Sequence, residues 1–172
     1  MHVGEVLISE SEIARAVGRL VEEIIADYGD TDLLLVGVMD GAVCFLADLM
    51  RAFPRSVEVI TIRATSYEGT ESLGELTVNY LPTPERIQGR HVLIVEDIVD
   101  TGATVATLVQ EIEDLGAASV NVCALLNKPS RREHDVEVAY VGFDTPNVFV
   151  VGYGLDYNGH FRNLRDVREL EE

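Results

Sequence analysis

The sequence predicts an α/β fold in which helices flank a twisted parallel sheet. Three short apolar runs, at 33–38, 91–95 and 120–126, are typical of strands that are buried on both faces of a sheet. The segments between them, 42–53 and 103–115, are predicted to be helices. Because buried strands that alternate with helices favour parallel pairing, we expect one sheet covered by helices.

Further segments extend this pattern. Residues 57–65 are predicted to form a strand, and so is the alternating series Leu76, Val78 and Tyr80. Between them, Ser66–Gly74 is polar and contains glycine, and it lacks the apolar residues that would pack it against a core. We therefore expect this segment to be a flexible lid loop.

The two ends of the chain are predicted to form a small cap. Ser9 and Glu12 have the spacing of a capping box, and apolar residues at helical spacing follow, which predicts a helix over 9–28. Two shorter β-like pieces, at 137–142 and 148–152, are expected to pair with this helix over the edge of the sheet.

Length and composition predict a single globular domain with an acidic surface. The 172 residues are enough for one core, which we place at about 30–128, with the cap built from about 1–29 and 129–172. Thirteen basic and 30 acidic residues give a net charge of −17, which argues against binding to nucleic acid or to an anionic membrane. Cys44 and Cys123 lie in apolar runs without a CxxC partner, and no leader or membrane-spanning run is present, so we expect a cytoplasmic protein.

The segment Val92–Thr104 carries the clearest chemical signal. A hydrophobic strand leads into Glu96 and Asp97, Asp100 follows three residues later, and a Thr-Gly-Ala-Thr turn opens a helix. Ligands bind beyond the carboxyl ends of parallel strands, and the free N–H groups of a helix start suit a phosphate. Adjacent carboxylates can bind sugar hydroxyls or a hard cation such as Mg²⁺. The segment therefore predicts a sugar-phosphate site.

This segment closely resembles the phosphoribosyl-pyrophosphate signature of the type I phosphoribosyltransferases. The resemblance extends over nearly the whole chain and is closest to the hypoxanthine(-guanine) branch. The matching segments are Val38–Ala42, Thr65–Tyr67, Glu96–Gly102, Leu126–Pro129, Phe149–Tyr157 and Arg162–Leu164. It implies a purine salvage enzyme that transfers the phosphoribosyl group of phosphoribosyl pyrophosphate to hypoxanthine, and to guanine, with IMP or GMP and pyrophosphate as products.

The resemblance also implies which residues bind phosphoribosyl pyrophosphate. They are Glu96, Asp97, Asp100, Thr101, Gly102, Ala103, Thr104, Asp40, Gly41, Ser66, Tyr67 and Arg162. Glu96 and Asp97 would contact the ribose hydroxyls and Mg²⁺, and the turn from Asp100 to Thr104 would hold the 5′-phosphate. Asp100 would be the catalytic base that accepts the purine N7 proton, although a helix N-cap is the alternative for this residue. Closure of the lid would exclude water from the reacting ribose.

The implied purine-binding residues are Lys128, Phe149, Val150 and Asp156. Lys128 is the only lysine of the chain, and its point-like ammonium suits the single O6 carbonyl of a 6-oxopurine. Phe149 would stack on the base, with packing in the core as the alternative, and Val150 would offer backbone groups to the base edge. Asp156 would also serve a second Mg²⁺ through water. For Arg162, an ordinary surface charge is the alternative to a pyrophosphate contact.

Two positions depart from the family pattern. Asp40 stands where the hypoxanthine branch usually has a lysine, and a carboxylate there repels pyrophosphate unless a metal lies between them or the side chain turns away. The resemblance implies that this loop binds through backbone amides, with a cis peptide expected between Met39 and Asp40. Ala103 replaces a longer residue found in some relatives, which the phosphate loop should tolerate.

Two other functions stay open at this point. Some proteins of this fold are regulators that bind RNA or sense phosphoribosyl pyrophosphate, but the charge of −17 weighs against RNA. An enzyme of the same fold could act on another base, although Lys128 argues against adenine, because an ammonium cannot accept from an amine. The resemblance also implies a homodimer or homotetramer.

Overall fold

The computed structural model describes residues 2–66, 76–79 and 81–171, and at 65–66 and 76–79 it describes the backbone alone. The elements in chain order are β1 (His2–Ile8), α1 (Glu10–Tyr28), β2 (Leu33–Met39), α2 (Val43–Ala52), β3 (Glu58–Ser66), β4 (Leu76–Asn79), α3 (Pro84–Ile87), β5 (His91–Val99), α4 (Ala103–Asp114), β6 (Ser119–Asn127), a 3-10 turn (Pro129–Arg131), β7 (Tyr140–Asp144), β8 (Val150–Val151) and β9 (Val167–Glu171).

Six strands form the main sheet, in the order β4-β3-β2-β5-β6-β7. Five neighbouring strands pair in parallel, namely β3, β2, β5, β6 and β7. At one edge, β4 pairs antiparallel with β3. The predicted parallel α/β sheet flanked by helices is therefore confirmed. Most of the predicted lid, Ser66–Gly74, lies outside the described residues.

The central strands are buried on both faces, which is why their sequences are continuous apolar runs. Successive side chains of a strand point to opposite faces, so β2 contributes to two separate cores. Leu33 and Leu35 pack with Leu20 of α1, and none of the three is more than 1% exposed. Leu34 packs on the other face with Leu108 of α4, and both are fully buried.

Two of the segments predicted for the cap lie in the main body of the observed fold. The second half of the piece predicted at 137–142 belongs to β7, which pairs in parallel with β6 and extends the main sheet beyond the expected limit of about 128. A parallel partner satisfies the backbone groups that β6 would otherwise leave unpaired at its edge. The predicted helix, observed as α1, packs on the main sheet beside α2 and β7, so it is not part of the cap.

A separate three-stranded sheet of order β1-β9-β8 forms the cap instead. Its strands come from the two ends of the chain and pair antiparallel. Of these strands only β8, at 150–151, falls within a predicted β piece, whereas β1 and β9 have no strong strand pattern. The capping box at the start of α1 is confirmed, with Ser9 N donating to Glu12 Oε2 over 2.8 Å and Glu12 N donating to Ser9 Oγ over 3.3 Å. Among the described residues, no helix is long and apolar enough to cross a membrane.

Removal of the Tyr140 hydroxyl tests the observed position of β7. Tyr140 is 4% exposed, and its hydroxyl donates to Asp27 Oδ2 of α1 over 2.7 Å. Tyr140→Phe should lower the free energy of unfolding in urea by about 1 kcal/mol, because one partly buried hydrogen bond between β7 and α1 is lost. A double-mutant cycle with Asp27→Ala should assign most of that loss to the pair, and additive effects of the two substitutions would contradict this contact.

Candidate active site

Three loops meet at the carboxyl edge of the main sheet. They follow β2, β5 and β6, and parallel pairing places the starts of all three at the same edge. Lys128 N donates to Val99 O over 2.9 Å, and Glu133 N donates to Thr101 O over 3.0 Å, so the loop after β6 folds over the loop after β5. Ten of the 16 predicted site residues lie on these loops or at the adjoining ends of β5 and α4.

The turn between β5 and α4 has the geometry of an anion site. A cavity of about 100 Å³ is lined by Glu96 and by residues 98–105, which include all of the predicted phosphate-binding turn. Gly102 has a φ of +88°, a conformation that favours glycine, and a side chain there would crowd Val136 and Arg132. The helix that starts at Ala103 has 12 residues, and its free N–H groups can bind a phosphate.

Glu96 and Asp97 form a carboxylate pair at the end of β5. Glu96 is 7% exposed, and its Oε2 atom finds no hydrogen-bond partner among the described residues. Burial, and next the adjacent carboxylate of Asp97, raise the pKa of Glu96 well above its usual value. Burial also raises the pKa of Asp97, although Ile98 N donates to its Oδ1 over 2.7 Å. A buried acid with an unpaired oxygen, next to a second, half-buried acid, leaves a place for a cation even though the charge of Arg162 acts on Asp97.

The chemistry of this pair fits a magnesium ion that arrives with a phosphorylated ligand. No group of three or more metal-ligating side chains occurs in the part of the chain that the structure describes. Mg²⁺ is usually bound by one or two carboxylates, with phosphate oxygens and water completing its coordination. Glu96 and Asp97 match that pattern, since a buried acceptor such as Glu96 Oε2 is stabilised by a cation.

The loop after β2 lies directly against this pair. Its Met39–Asp40 peptide bond is cis, as predicted. A Cβ atom on Gly41 would overlap the Asp97 carboxylate, and a Cβ atom on Gly154 would overlap the Gly41 carbonyl oxygen. Only glycines therefore allow the loop after β2 to approach β5 and the segment after β8 so closely. Asp40 does not stand alone, because Arg63 Nη2 lies 2.7 Å from Asp40 Oδ1.

Asp100 lies at the edge of the phosphate turn and does not cap the helix. The N-cap position of α4 is Gly102, which has no side chain, so the alternative role of Asp100 as a cap is not realised. The Asp100 Oδ1 atom accepts instead from Arg131 Nε over 3.0 Å. This ion pair is partly exposed and orients one carboxylate oxygen, which leaves the other oxygen of Asp100 for a ligand.

The predicted purine side lies on the loop after β6 and on the segment before β8. Lys128 is 6% exposed, and its Nζ donates to Val148 O over 2.9 Å. Phe149 is 52% exposed, which excludes the alternative that it packs in the core, and its ring meets Tyr157 edge-on at 5.7 Å between centroids. Val150 is buried and pairs with Glu169 of β9. Together these residues form one wall with an exposed aromatic ring and a buried ammonium.

Arg162 and Asp156 form an ion pair beside the other loops. Arg162 Nη2 lies 2.8 Å from Asp156 Oδ1, and Arg162 Nη1 donates to Gly154 O over 2.6 Å. The structure thus places both predicted residues at the edge of the site but pairs them with each other. The backbone of Ser66 ends β3 at the carboxyl edge, whereas Tyr67 lies outside the described residues.

Arg63 and Arg131 contact the predicted residues Asp40 and Asp100, although no sequence pattern marks either arginine. Arg131 reaches Asp100 only because a 3-10 turn follows Lys128. Arg63 reaches Asp40 because the register of β2 and β3 sets Arg63 beside Met39. Strand register could have revealed the second contact in advance, whereas the first depends on the turn geometry.

Replacement of Glu96 tests the buried carboxylate pair through stability. The pKa of Glu96 is higher in the folded than in the unfolded state. Its carboxyl therefore stabilises the fold fully below the unfolded-state pKa of about 4.3, and this stabilisation is lost as the pH rises through the folded-state pKa. Glu96→Gln should therefore be more stable than the wild type at pH 8, without metal, by on the order of 1–3 kcal/mol, and the difference should vanish near pH 4. Urea unfolding across this pH range measures it.

Glu58→Gln serves as a control of opposite sign. Hydrogen bonds from Arg86 and Arg90 lower the pKa of Glu58. The Glu58 carboxylate therefore stabilises the fold above its unfolded-state pKa, and this stabilisation is lost as the pH falls through the folded-state pKa. This variant should be less stable than the wild type at pH 8 and approach it in acid. A Glu96→Gln variant that follows the same trend would contradict the buried, unpaired state of Glu96.

Comparison with known proteins agrees with this geometry. Residues 5–158 match the family model described as the phosphoribosyl transferase domain. The chain is 39% identical to the hypoxanthine-guanine phosphoribosyltransferase of Streptococcus pneumoniae, over 99% of this chain and 94% of the relative, and 40% identical to that of Bacillus subtilis, over 94% and 90%.

Solved structures give the same result. The hypoxanthine phosphoribosyltransferase of Staphylococcus aureus superposes with a TM-score of 0.91 at 34% identity, covering 98% of this chain and 92% of that one. A point mutant of the hypoxanthine phosphoribosyltransferase of Trypanosoma cruzi, solved as a ternary substrates complex, superposes with a TM-score of 0.89 at 37% identity, covering 98% and 96%. The chain therefore belongs to the phosphoribosyl transferase family and, within it, to the hypoxanthine-guanine phosphoribosyltransferases.

Proposed function

We propose that this chain is a purine salvage enzyme that transfers the phosphoribosyl group from phosphoribosyl pyrophosphate to hypoxanthine and guanine. One observation carries the proposal: a carboxylate pair with Glu96 buried, a phosphate-sized turn and a buried lysine meet at one edge of the sheet. These groups match the three parts of a purine nucleotide, namely ribose, phosphate and 6-oxo base. The family relatives support the same activity. None of the proteins compared above is named as a regulator, so they do not support the alternative of a phosphoribosyl-pyrophosphate-sensing regulator.

The phosphate turn and the carboxylate pair would hold the phosphoribosyl donor. The N–H groups at the start of α4 donate to the 5′-phosphate, and the positive end of the helix dipole favours its charge. Glu96 and Asp97 accept from the ribose hydroxyls and hold Mg²⁺. The metal ion, when bound, neutralises charge on the pyrophosphate leaving group. Asp156 could hold a second ion, because its paired arginine, Arg162, can turn to the pyrophosphate.

The base would lie between Phe149 and the phosphate turn. The exposed ring of Phe149 offers a stacking face, which tolerates either 6-oxopurine. Lys128 donates one of its three N–H groups to Val148 O, so two N–H groups are left to donate to the O6 carbonyl. Because an ammonium can only donate, this contact favours a 6-oxo group over a 6-amino group.

Asp100 would act as the general base. Purine N9 bonds to ribose C1′ as the bond from C1′ to the pyrophosphate oxygen breaks, and the proton on N7 passes to the free carboxylate oxygen of Asp100. Arg131 keeps the other oxygen of Asp100 in place. A carboxylate near C1′ also stabilises the positive charge that develops on the ribose.

We further propose that the whole chain works as one domain and that two or four copies assemble in the cytoplasm. The support for the cytoplasm is that Cys44 and Cys123 are both free thiols, as in reducing compartments. The support for an assembly is the family resemblance, together with Val43 and Met50, which leave 44% and 38% of their surface exposed on one helix.

A panel of four bases tests the proposed activity. Steady-state formation of mononucleotide from phosphoribosyl pyrophosphate and Mg²⁺ would be measured with hypoxanthine, guanine, xanthine and adenine. We expect turnover of hypoxanthine and guanine, with kcat/KM for adenine lower by at least about 10³-fold, since Lys128 would face an amine that cannot accept. Absence of turnover with every 6-oxopurine would contradict the proposed function.

Replacement of Asp100 tests the general base. Asp100→Asn keeps the size of the side chain but cannot take a proton at neutral pH, so kcat should fall by about 10²-fold or more. KM for phosphoribosyl pyrophosphate should change little, because the phosphate turn binds through backbone amides. The matched control is Asp114→Asn at the opposite end of α4, where the carboxylate accepts from Gln110. An Asp100→Asn variant as active as this control would show that another group takes the proton.

A further inference from the structure

Asp40 presents an electrostatic problem for the proposed reaction. It precedes Gly41 in a loop that packs directly against the Asp97 carboxylate. The surrounding chain carries a net charge of −17. A polyphosphate that enters here would meet the Asp40 and Asp97 carboxylates together. Without a positive partner for Asp40, like charges would weaken the binding of any polyphosphate at this loop.

Arg63 supplies that partner from the neighbouring strand. It lies near the carboxyl end of β3, in register with Met39 of β2, so its side chain emerges beside the loop that begins at residue 40. Its Nη2 atom lies 2.7 Å from Asp40 Oδ1. The two side chains are 55% and 52% exposed, and a pair as exposed as this contributes little to folding stability. Its effect is therefore expected in the local charge of the loop.

The other charged groups near the loop cannot take this role. Arg162 contacts Asp156 and Gly154 O, no contact of it with Asp40 is described, and in the proposed function it turns to the pyrophosphate instead. The carboxylate pair at the end of β5 cannot balance Asp40 either, because Glu96 and Asp97 are themselves negative when they hold an ion. Among the described contacts, the charge of Asp40 is balanced by Arg63.

We propose that Arg63 is a positioning residue that neutralises Asp40 and turns its carboxylate away from the leaving group, so that an acidic loop can bind a polyphosphate. This inference rests on the proposed function, in which the loop after β2 receives the pyrophosphate of the donor. The guanidinium acts on Asp40, and the backbone amides of the loop bind the polyphosphate. The pair thus explains how an aspartate can occupy this loop.

A double-mutant cycle on pyrophosphate binding tests the proposal. Calorimetry would give Kd for magnesium pyrophosphate with the wild type, Arg63→Gln, Asp40→Asn and the double variant. Arg63→Gln should weaken binding about tenfold at low salt, because an unpaired carboxylate then faces several negative charges. Asp40→Asn should bind more tightly than the wild type. The double variant should regain most of the loss, since both charges are gone. KM for phosphoribosyl pyrophosphate should follow the same order.

Salt and a matched control separate charge from structure. The effect of Arg63→Gln should shrink in about 1 M salt, where screening is nearly complete over a few ångströms. Arg86→Gln is the control, because Arg86 pairs with Glu58 at the opposite end of β3 and its loss changes the net charge equally. This variant should keep the wild-type Kd.

Three outcomes would overturn the proposal. Arg63→Gln could bind as tightly as the wild type, which would leave Asp40 without influence. The double variant could be as weak as Arg63→Gln, which would mean that Arg63 contacts the polyphosphate itself. A wild type that binds no magnesium pyrophosphate would overturn the role of the loop altogether. Failure of the proposed function is a different result, namely a wild type that binds pyrophosphate normally yet turns over no base.

Discussion

The parallel pairing of β2, β5 and β6 is the constraint on which the rest of the site depends. It brings three strand ends to one edge, although their loops are far apart in the sequence. The loop after β2 then packs so closely on Asp97 and on the segment after β8 that Gly41 and Gly154 cannot carry side chains. The burial of Glu96 follows from this packing, and so does the raised pKa of its carboxyl. An unpaired buried acid costs folding free energy, which a bound cation and donor recover.

A strongly acidic protein must bind polyanions through local devices. Three occur at this edge: helix N–H groups at the phosphate turn, a carboxylate pair that can hold a divalent cation, and ion pairs that balance single acids. Arg63 balances Asp40, and Arg131 orients Asp100. Each of these groups acts over a few ångströms. At that distance the nearest charged group affects a bound phosphate more than the net charge of −17 does. The family reaction is thereby compatible with an unusual surface charge.

Sequence patterns predict the parts of this molecule that local chemistry determines. The runs at 33–38, 91–95 and 120–126 are apolar because their strands are buried on both faces. The phosphate turn is predictable because its residues follow one another directly in the sequence. The piece at 137–142 was wrongly assigned to the cap because β7 is an edge strand joined through a 3-10 turn, without the usual connecting helix. The contacts of Arg63 and Arg131 cross 23 and 31 residues, so they depend on register and turn geometry that no short pattern records.

A crystal structure with bound inosine monophosphate would test most directly whether the nucleotide lies at the carboxyl edge. We expect the phosphate at the turn before α4, the ribose at Glu96 and Asp97, and the base on Phe149 with its O6 atom near Lys128. A larger cavity, of about 520 Å³, lies between α1, α2 and residues 162–165, and it shares only Arg162 with the predicted site residues. A nucleotide bound in that cavity, with the phosphate turn empty, would contradict this placement.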